Sequence, residues 1–509
     1  MARKAQKTNS KNLEEILVEA TEKLRGAMDP AEYKHIVLGL VFLRYLSEAF
    51  EAKQRDLEID KLADPEDPEE YQADNIFWLP KAARWNYLSS HSRNSSIGKK
   101  IDEAMRSIES ENDSLKDALY KEYGKPSLDA KLLGGLVDLL TNLKLAESAG
   151  DFDFLGRIYE FFLAYYAGKE GKRGGDFYTP SSIVRTLVEM IQPLHGRVYD
   201  PCCGTGGFFI QSEKLIQAHQ GRIGDIAIYG QERNNTTWKL AKMNLAIRGV
   251  EADIRWNPEG TLLEDAFPDM RFDYILANPP FNIKDWGGEL LKEDSRWKLG
   301  TPPEGNANFA WIQHILHHLN SNGIAGVVLA NGSMTSSTDS EGEIRKNLIE
   351  NGHVDCMVAL PSQLFYGTQI PACLWILKKN GSKTNGKKKP GNVLFIDARN
   401  LGRMISRNQR ELTKEDIHKI ADTYRAWREN KKSYCDLPGF CKSASLEEIR
   451  KNDFMLTPGR YVGPELPEEE EGAFESKMQT LVEQLQSHMN EAQQLAKRIR
   501  KNLEGLGYA

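Results

Sequence analysis

Cysteine is scarce in this chain. Six among 509 residues make no disulfide framework, and no two are spaced as in a zinc ribbon. Cys202 and Cys203 are adjacent, and they read as small loop residues rather than as a bridge or a metal site. No apolar run is long enough to span a bilayer. The first residues are basic and polar without an apolar core, so no secretory leader is read there. These absences fit an intracellular, cytoplasmic enzyme with no membrane partner. A surplus of positive charge is missing too: 67 Lys and Arg stand against 73 Asp and Glu, a net charge of −6. That excludes the uniformly basic surface of a free-standing nucleic-acid binder.

What the chain does contain divides it in three, as 1–150, 151–465 and 466–509, and the length alone suggests about three domains. Residues 12–146 carry a helical pattern. Leu13, Ile16, Leu17, Ala20 and Leu24 recur at helical spacing, and residues 33–50 form a denser apolar helix with a capped start at Asp29-Pro30. Residues 64–74 read as a solvated acidic loop, and Trp78, Trp85 and Tyr87 after it as core aromatics. From residue 151 to about 402, short apolar runs alternate with helical segments, which argues for a mostly parallel sheet with helices on both faces. Residues 464–472, with four consecutive glutamates, read as an exposed linker. Beyond them Met478, Leu481, Leu485, Ala492, Leu495 and Ile499 fall at heptad spacing, with His488 and Asn502 as polar interruptions. That helix is built to lie against another helix, from its own chain or from a partner.

Two motifs carry the chemistry. The run Phe272–Ala277 reads as a buried strand and ends in Asn278-Pro279-Pro280-Phe281. Two prolines stop the strand and stiffen the backbone at its carboxyl end, where ligands bind in open α/β sheets. The turn offers an amide oxygen, backbone carbonyls and an aromatic ring, a set suited to a planar amino group held against a stacking face. Upstream, the strand ending at Asp200 leads into Pro201-Cys202-Cys203-Gly204-Thr205-Gly206-Gly207 and a helix, the first unit of a dinucleotide-type fold. The glycine spacing is not the dinucleotide fingerprint, and an acid precedes the turn. Asp200 is awkward beside a pyrophosphate but suits the cationic amino-acid end of S-adenosyl-L-methionine. A second strand, residues 226–230, ends near Glu232, where a ribose-binding carboxylate is expected.

With these motifs on the page, the chain resembles the modification (methyltransferase) subunit of type I restriction-modification systems, an adenine-N6 DNA methyltransferase. The resemblance covers most of the chain. It includes Gly174-Gly175-Asp176-Phe177-Tyr178-Thr179-Pro180, Leu360-Pro361-Ser362-Gln363-Leu364-Phe365 with Gln369-Ile370-Pro371-Ala372, and Asn452-Asp453-Phe454-Met455-Leu456-Thr457-Pro458-Gly459-Arg460-Tyr461-Val462. It implies a Rossmann-like class I methyltransferase domain between an N-terminal all-helical domain and a C-terminal helical tail. It further implies S-adenosyl-L-methionine as cofactor, held by Asp176, Phe177, Tyr178, Thr179, Pro180 and Ser181, by Asp200 with Gly204, Thr205, Gly206 and Gly207, and by Glu232. The family's first turn carries alanines where Cys202 and Cys203 stand, and small side chains at both places leave such a pocket intact.

The implied partners are duplex DNA with its target adenine flipped out, a DNA-specificity subunit and a second copy of the chain. A restriction subunit is left open. The acidic balance fits an enzyme whose grip on DNA is largely supplied by another subunit. Asn278 and Pro279 would accept the adenine amine hydrogens, Pro280 would stiffen the turn and Phe281 would stack on the base. No metal or covalent intermediate is required. Thr261 and Leu262 are further candidates for the cofactor adenine. Lys383 and Lys387-Lys388-Lys389 read as a solvated loop with phosphate contact as the alternative, and Lys169, Lys172 and Arg173 as a segment that orders on binding. Methylation at cytosine C5 is set aside, because it needs a cysteine where Asn278 stands. Other planar amines, a protein glutamine or an RNA guanine, and a non-catalytic assembly scaffold remain as alternatives.

Overall fold

The computed structural model describes residues 30–464, apart from 61–62, 75, 142–178, 223, 366–369, 380–382, 385–386, 389–390, 408 and 431–432, together with a helix at 473–505. The helical pattern read at residues 13–24, the basic residues Lys169, Lys172 and Arg173, and Asp176, Phe177 and Tyr178 lie outside the described residues. The chain forms two compact units, Met1–Gly463 and Pro464–Ala509.

The first unit is built on a nine-stranded sheet. Its strands are β1 Gly196–Asp200, β2 Ile226–Glu232, β3 Ala252–Trp256, β4 Phe272–Ala277 and β5 Leu319–Ala330. They continue with β6 Val354–Ala359, β7 Ala372–Lys378, β8 Val393–Asp397 and β9 Cys441–Ala444. In space the order is β9-β8-β6-β7-β5-β4-β1-β2-β3. Strands β1 to β5 pair parallel with their neighbours, whereas β7 runs antiparallel between β5 and β6. Strand β8 then continues parallel to β6, and β9 closes the edge antiparallel. The runs read from the sequence as strands are these strands. Every residue of β6 is buried, which explains why it is apolar on both faces except at Asp355, whose carboxylate is met by Lys378 and Tyr424.

Helices cover both faces. Ser181–Ile191 and Lys414–Arg428 pack into one core with Leu276, Val328 and Leu374. Asn308–His318 and Glu341–Glu350 pack into the other with Ile275, Val327 and Trp375. The strand order reverses between β1, which proceeds outward to β2, and β4 on its other side. Such a switch point opens a crevice beyond the carboxyl ends of the strands. In the β1–β4 ladder Val198 lies opposite Tyr274 and Tyr199 opposite Ile275, so the turns after Asp200 and Ala277 leave the sheet at nearly the same level.

The preceding helical region includes Pro30–Ile59, Ile97–Glu111 and Ala130–Thr141. Its apolar cluster takes in Leu240 and Met243 from the helix Asn235–Ala246, so it shares a core with the sheet's outer helix. Trp78 and Trp85 are buried as expected, but Tyr87 is 37% exposed. On the helix Trp85–Ser90, two residues turn a side chain about 200°, so Tyr87 faces away from Trp85. There it meets the ring of His91 and accepts a hydrogen bond from Lys100 at 3.0 Å.

The lysine-rich loop carries a two-residue ladder between Lys383–Thr384 and Lys387–Lys388. In the second unit the helix Ala473–Gly505 exposes its heptad side chains, Leu485 by 59% and Ile499 by 58%. Among the described residues no helix is long and apolar enough to cross a membrane.

Candidate active site

The glycine turn after β1 is held open by its own backbone. Gly204 and Gly206 take φ of +54° and +80°, left-handed conformations that other residues adopt only at a cost of about 1–2 kcal/mol. A side chain at Gly204 would meet nothing within 4 Å, so the turn borders free space. The turn is fixed from beneath and from the side. Cys203 N–H donates to the Gln231 carbonyl at 2.9 Å, and buried Asn244 donates to the Thr205 carbonyl at 2.8 Å. Cys203 is buried and Cys202 nearly so, and both act as small packing residues.

The two acids bracket this turn. Glu232, at the end of β2, accepts from Gly204 N–H at 3.0 Å and from Asn234 N–H at 2.8 Å. Asp200 is 2% exposed and accepts from Cys202 N–H at 3.0 Å. Burial pushes its carboxyl up to about 8, with Glu232 adding to the effect and the Cys202 hydrogen bonds opposing it. Among the described residues this hard-to-ionise buried acid has no cation beside it, and the cationic amino-acid end of S-adenosyl-L-methionine would supply one. The free space over Gly204 is where a bound cofactor would meet bare backbone. On both counts the residues fit the cofactor.

The second turn is clamped instead of open. Asn278 Nδ2 donates to Thr179 Oγ1 at 2.8 Å, while its Oδ1 is buried with no hydrogen-bond partner among the described residues. Pro279 is buried, and Pro280 and Phe281 are half-buried. The Phe281 ring meets Phe365 edge-on at 5.6 Å and 79°, so the Leu360 to Phe365 motif props the tetrad. Beyond it Asn282 has φ of +53°, and its backbone N–H and side-chain oxygen both bond to the side chain of buried Asn308. Asn282 N–H donates to Asn308 Oδ1 at 3.1 Å, and Asn308 Nδ2 to Asn282 Oδ1 at 2.8 Å.

Thr179, grouped by sequence with the cofactor segment, thus touches Asn278. Pro180 is buried behind it, and Ser181 opens the next helix. Thr261 donates to the Pro201 carbonyl at 2.5 Å beside the glycine turn, and both it and Leu262 are buried.

Sequence reasoning missed the Asn282–Asn308 pair and a buried polar network under the site. Gln231 donates to Tyr199 Oη at 2.6 Å and accepts from Ala266 N–H at 2.9 Å. Tyr199 Oη lies 3.4 Å from His314 Nε2, and Arg296 donates to His314 Nδ1 at 3.0 Å. His318 spans Asp265 at 2.7 Å and the Met270 carbonyl at 3.1 Å. Asp265, His314 and His318 bring ligand-type atoms within 4.8 Å of one another. Both His318 nitrogens face oxygen acceptors, however, and a guanidinium faces His314. The cluster is closed by its own hydrogen bonds and braces β1 and β2 against the helix Asn308–His318. Only the alternating polar residues Tyr199 and Gln231, each one position before an acid, hinted at it.

Comparison with known proteins bears on what such a site does. Residues 150–471 match the N-6 DNA Methylase family, and residues 13–140 match the HsdM N-terminal domain. The type I restriction enzyme HindI methylase subunit of Haemophilus influenzae is 47% identical over 84% of this chain and 100% of its own length. The MjaIX methylase subunit of Methanocaldococcus jannaschii is 39% identical over 97% of this chain and 91% of its own. Among solved structures, a type I restriction-modification methyltransferase subunit from Streptococcus thermophilus superposes with a TM-score of 0.73 at 27% identity, covering 88% of this chain and 98% of that one. The chain belongs to the N-6 DNA methylase family and, within it, to the methylase subunits of type I restriction enzymes.

Proposed function

We propose that this chain moves a methyl group from S-adenosyl-L-methionine to N6 of an adenine turned out of duplex DNA. The observation that carries the reading is the Asn278 amide. Its Nδ2 is committed to Thr179, and its Oδ1 is buried with no partner among the described residues. An orphaned buried acceptor costs about 1–3 kcal/mol, so it calls for an explanation. An amine donor arriving with substrate is such an explanation.

The adenine amine is a weak nucleophile because its lone pair is conjugated into the ring. Asn278 Oδ1 and the Pro279 carbonyl would each accept one amine hydrogen. Held that way, the nitrogen is drawn toward tetrahedral geometry and its lone pair is freed from the ring. Pro280 keeps the carbonyl fixed, and Phe281 offers its ring to the everted base. S-adenosyl-L-methionine, when bound, supplies an electrophilic methyl group on a sulfonium sulfur. Asp200, Glu232, the backbone of Gly204, Thr205, Gly206 and Gly207, and the segment 176–181 would hold it. Alignment of the two reactants then contributes several kcal/mol, and the extra proton on nitrogen leaves to water.

One exposed surface supports the reading of partners. The exposed heptad face of Ala473–Gly505 suits docking against helices of a DNA-specificity subunit in an assembly holding a second copy of this chain, with room for a restriction subunit. Such an assembly acts on cytoplasmic DNA. The assembled complex, given radiolabelled cofactor with duplex DNA, RNA and protein in parallel, should label only DNA, at adenine N6. Label on RNA or protein instead would overturn the reading.

A further inference from the structure

Beside the Asn-Pro-Pro-Phe turn a two-stranded ribbon projects from the sheet domain. Arg403–Ser406 pairs antiparallel with Gln409–Glu411. All four residues of the first strand are exposed, Met404 by 45% and Ile405 by 50%. The ladder sets Arg403 against Glu411, Met404 against Arg410 and Ser406 against Gln409, with a shift between Met404 and Ser406. Ile405 is therefore the extra residue of a β-bulge, a device that re-aims a side chain and is enriched next to active sites.

The root of the ribbon is tied to the site. Arg410 N–H donates to the Gln363 carbonyl at 2.8 Å, and Gln409 Nε2 to the Leu364 carbonyl at 2.6 Å. The next residue, Phe365, is the ring packed on Phe281. On the other side Glu411 pairs with Arg185 at 3.6 Å, on the helix that begins just after Thr179. Gly402 at the base has φ of +84°, and a side chain there would press on the Glu411 carbonyl at 2.9 Å. The ribbon is thus braced against the two segments that carry Phe365 and Thr179, the partners of the Asn-Pro-Pro-Phe turn. Arg403 and Arg407 are exposed, and neither has an ion-pair partner among the described residues. In a chain of net charge −6 this is a local concentration of positive charge.

The geometry points to the ribbon Arg403–Glu411 as a duplex-DNA contact that holds the strand open where the adenine has left. Arg403 and Arg407 take phosphates flanking the everted nucleotide. Met404 and Ile405 press on the exposed face of the neighbouring base pair. Turning a base out of a duplex leaves an unstacked step, and aliphatic wedges between arginines are how proteins cover one. The role rests on the methyltransferase reading of the tetrad.

The test uses the full chain assembled with its specificity subunit and two duplexes. One has the target adenine paired, and a version with 2-aminopurine at that place reports eversion. The other sets the adenine opposite an abasic site, where it is already loose. Met404→Ser with Ile405→Ser should lower methylation of the paired duplex at least about tenfold and remove its fluorescence rise, while changing the abasic duplex less than about twofold. Arg403→Ala with Arg407→Ala should weaken binding to both duplexes and reduce the slope of log affinity against log salt by about 1.8. Equal losses on the two duplexes, or an unchanged paired duplex, would overturn the wedge. Loss of co-elution with the specificity subunit would make the ribbon a protein contact instead. If the unsubstituted complex methylates neither duplex, the tetrad reading itself fails and takes the ribbon with it.

Discussion

The two turns at the carboxyl edge of the sheet solve opposite problems. The glycine turn after β1 presents bare backbone to free space, and its acid, Asp200, is buried with no cation beside it among the described residues. The proline turn after β4 is clamped at both ends, by Thr179 on the Asn278 amide and by Asn308 on Asn282. In the proposed reaction one turn receives the cofactor and the other aims an amide oxygen. Neighbouring parallel strands set the two turns at nearly the same level of the sheet, which is what the proposed reaction requires of a cofactor turn and a base-holding turn.

Substitutions that act on one turn and spare the other would sharpen this contrast. The largest effect is expected at the pointer. Asn278→Ala should lower the methylation rate by about 10²–10³-fold or more, the range for losing a preorganised hydrogen-bonding group, while cofactor affinity in calorimetry stays within about twofold. Equal loss of both would merge the two turns into one functional unit.

Gly204→Val should do the reverse. The left-handed backbone would be strained by about 1–2 kcal/mol, a modest fall in thermal stability, while the side chain enters the open space and cofactor affinity drops about tenfold or more. Retained cofactor affinity would mean that this space is not the pocket.

Thr179→Val removes the hydroxyl that holds Asn278 Nδ2 and keeps the shape. One hydrogen bond corresponds to about 0.5–1.5 kcal/mol, so kcat should fall about threefold to tenfold. Thr179→Ser should restore it, with KM for the cofactor little changed. A change confined to that KM would return Thr179 to the pocket.

An effect on stability rather than on rate, spread over several pH units, is expected from Asp200. Its folded-state value near 8 stands well above its ordinary 3.8, so between those limits the folded chain keeps a proton that the unfolded chain has released. Stability from this group is therefore full at low pH and is lost as pH rises through about 8. Cofactor-free protein should show a denaturation midpoint that declines over this window, and Asp200→Asn should flatten the decline. Bound cofactor, by supplying the cation, should release a proton near pH 7, seen as a buffer-dependent binding enthalpy.

Much of this was legible in the chain. Strand β4 and the end of β5 are short apolar runs closed by a turn signal, and the turns after β1 and β4 announce themselves by glycine and by proline. Aromatic burial was legible less well, because Tyr87 differs from Trp85 only by the face of a six-residue helix on which it lands. Thr179 was placed with the cofactor by its sequence neighbours, yet its hydrogen bond reaches 99 residues along the chain. The Asn282–Asn308 pair and the Tyr199–His314 contact, 26 and 115 residues apart, left no periodic trace. The arginine-bearing ribbon carries no local signal of its place, because its root is held by the distant carbonyls of Gln363 and Leu364.

Local chemistry was fixed by the amino acids themselves: apolar runs make strands, glycine opens a turn and proline stiffens one, since these depend on a residue and its immediate neighbours. Which way the Asn278 amide faces, how deeply Asp200 is buried and what braces the two turns were decided by the folded chain alone. Hydrogen bonds and burial between distant segments exist only once the sheet has set its strand order and register, and no local pattern encodes them.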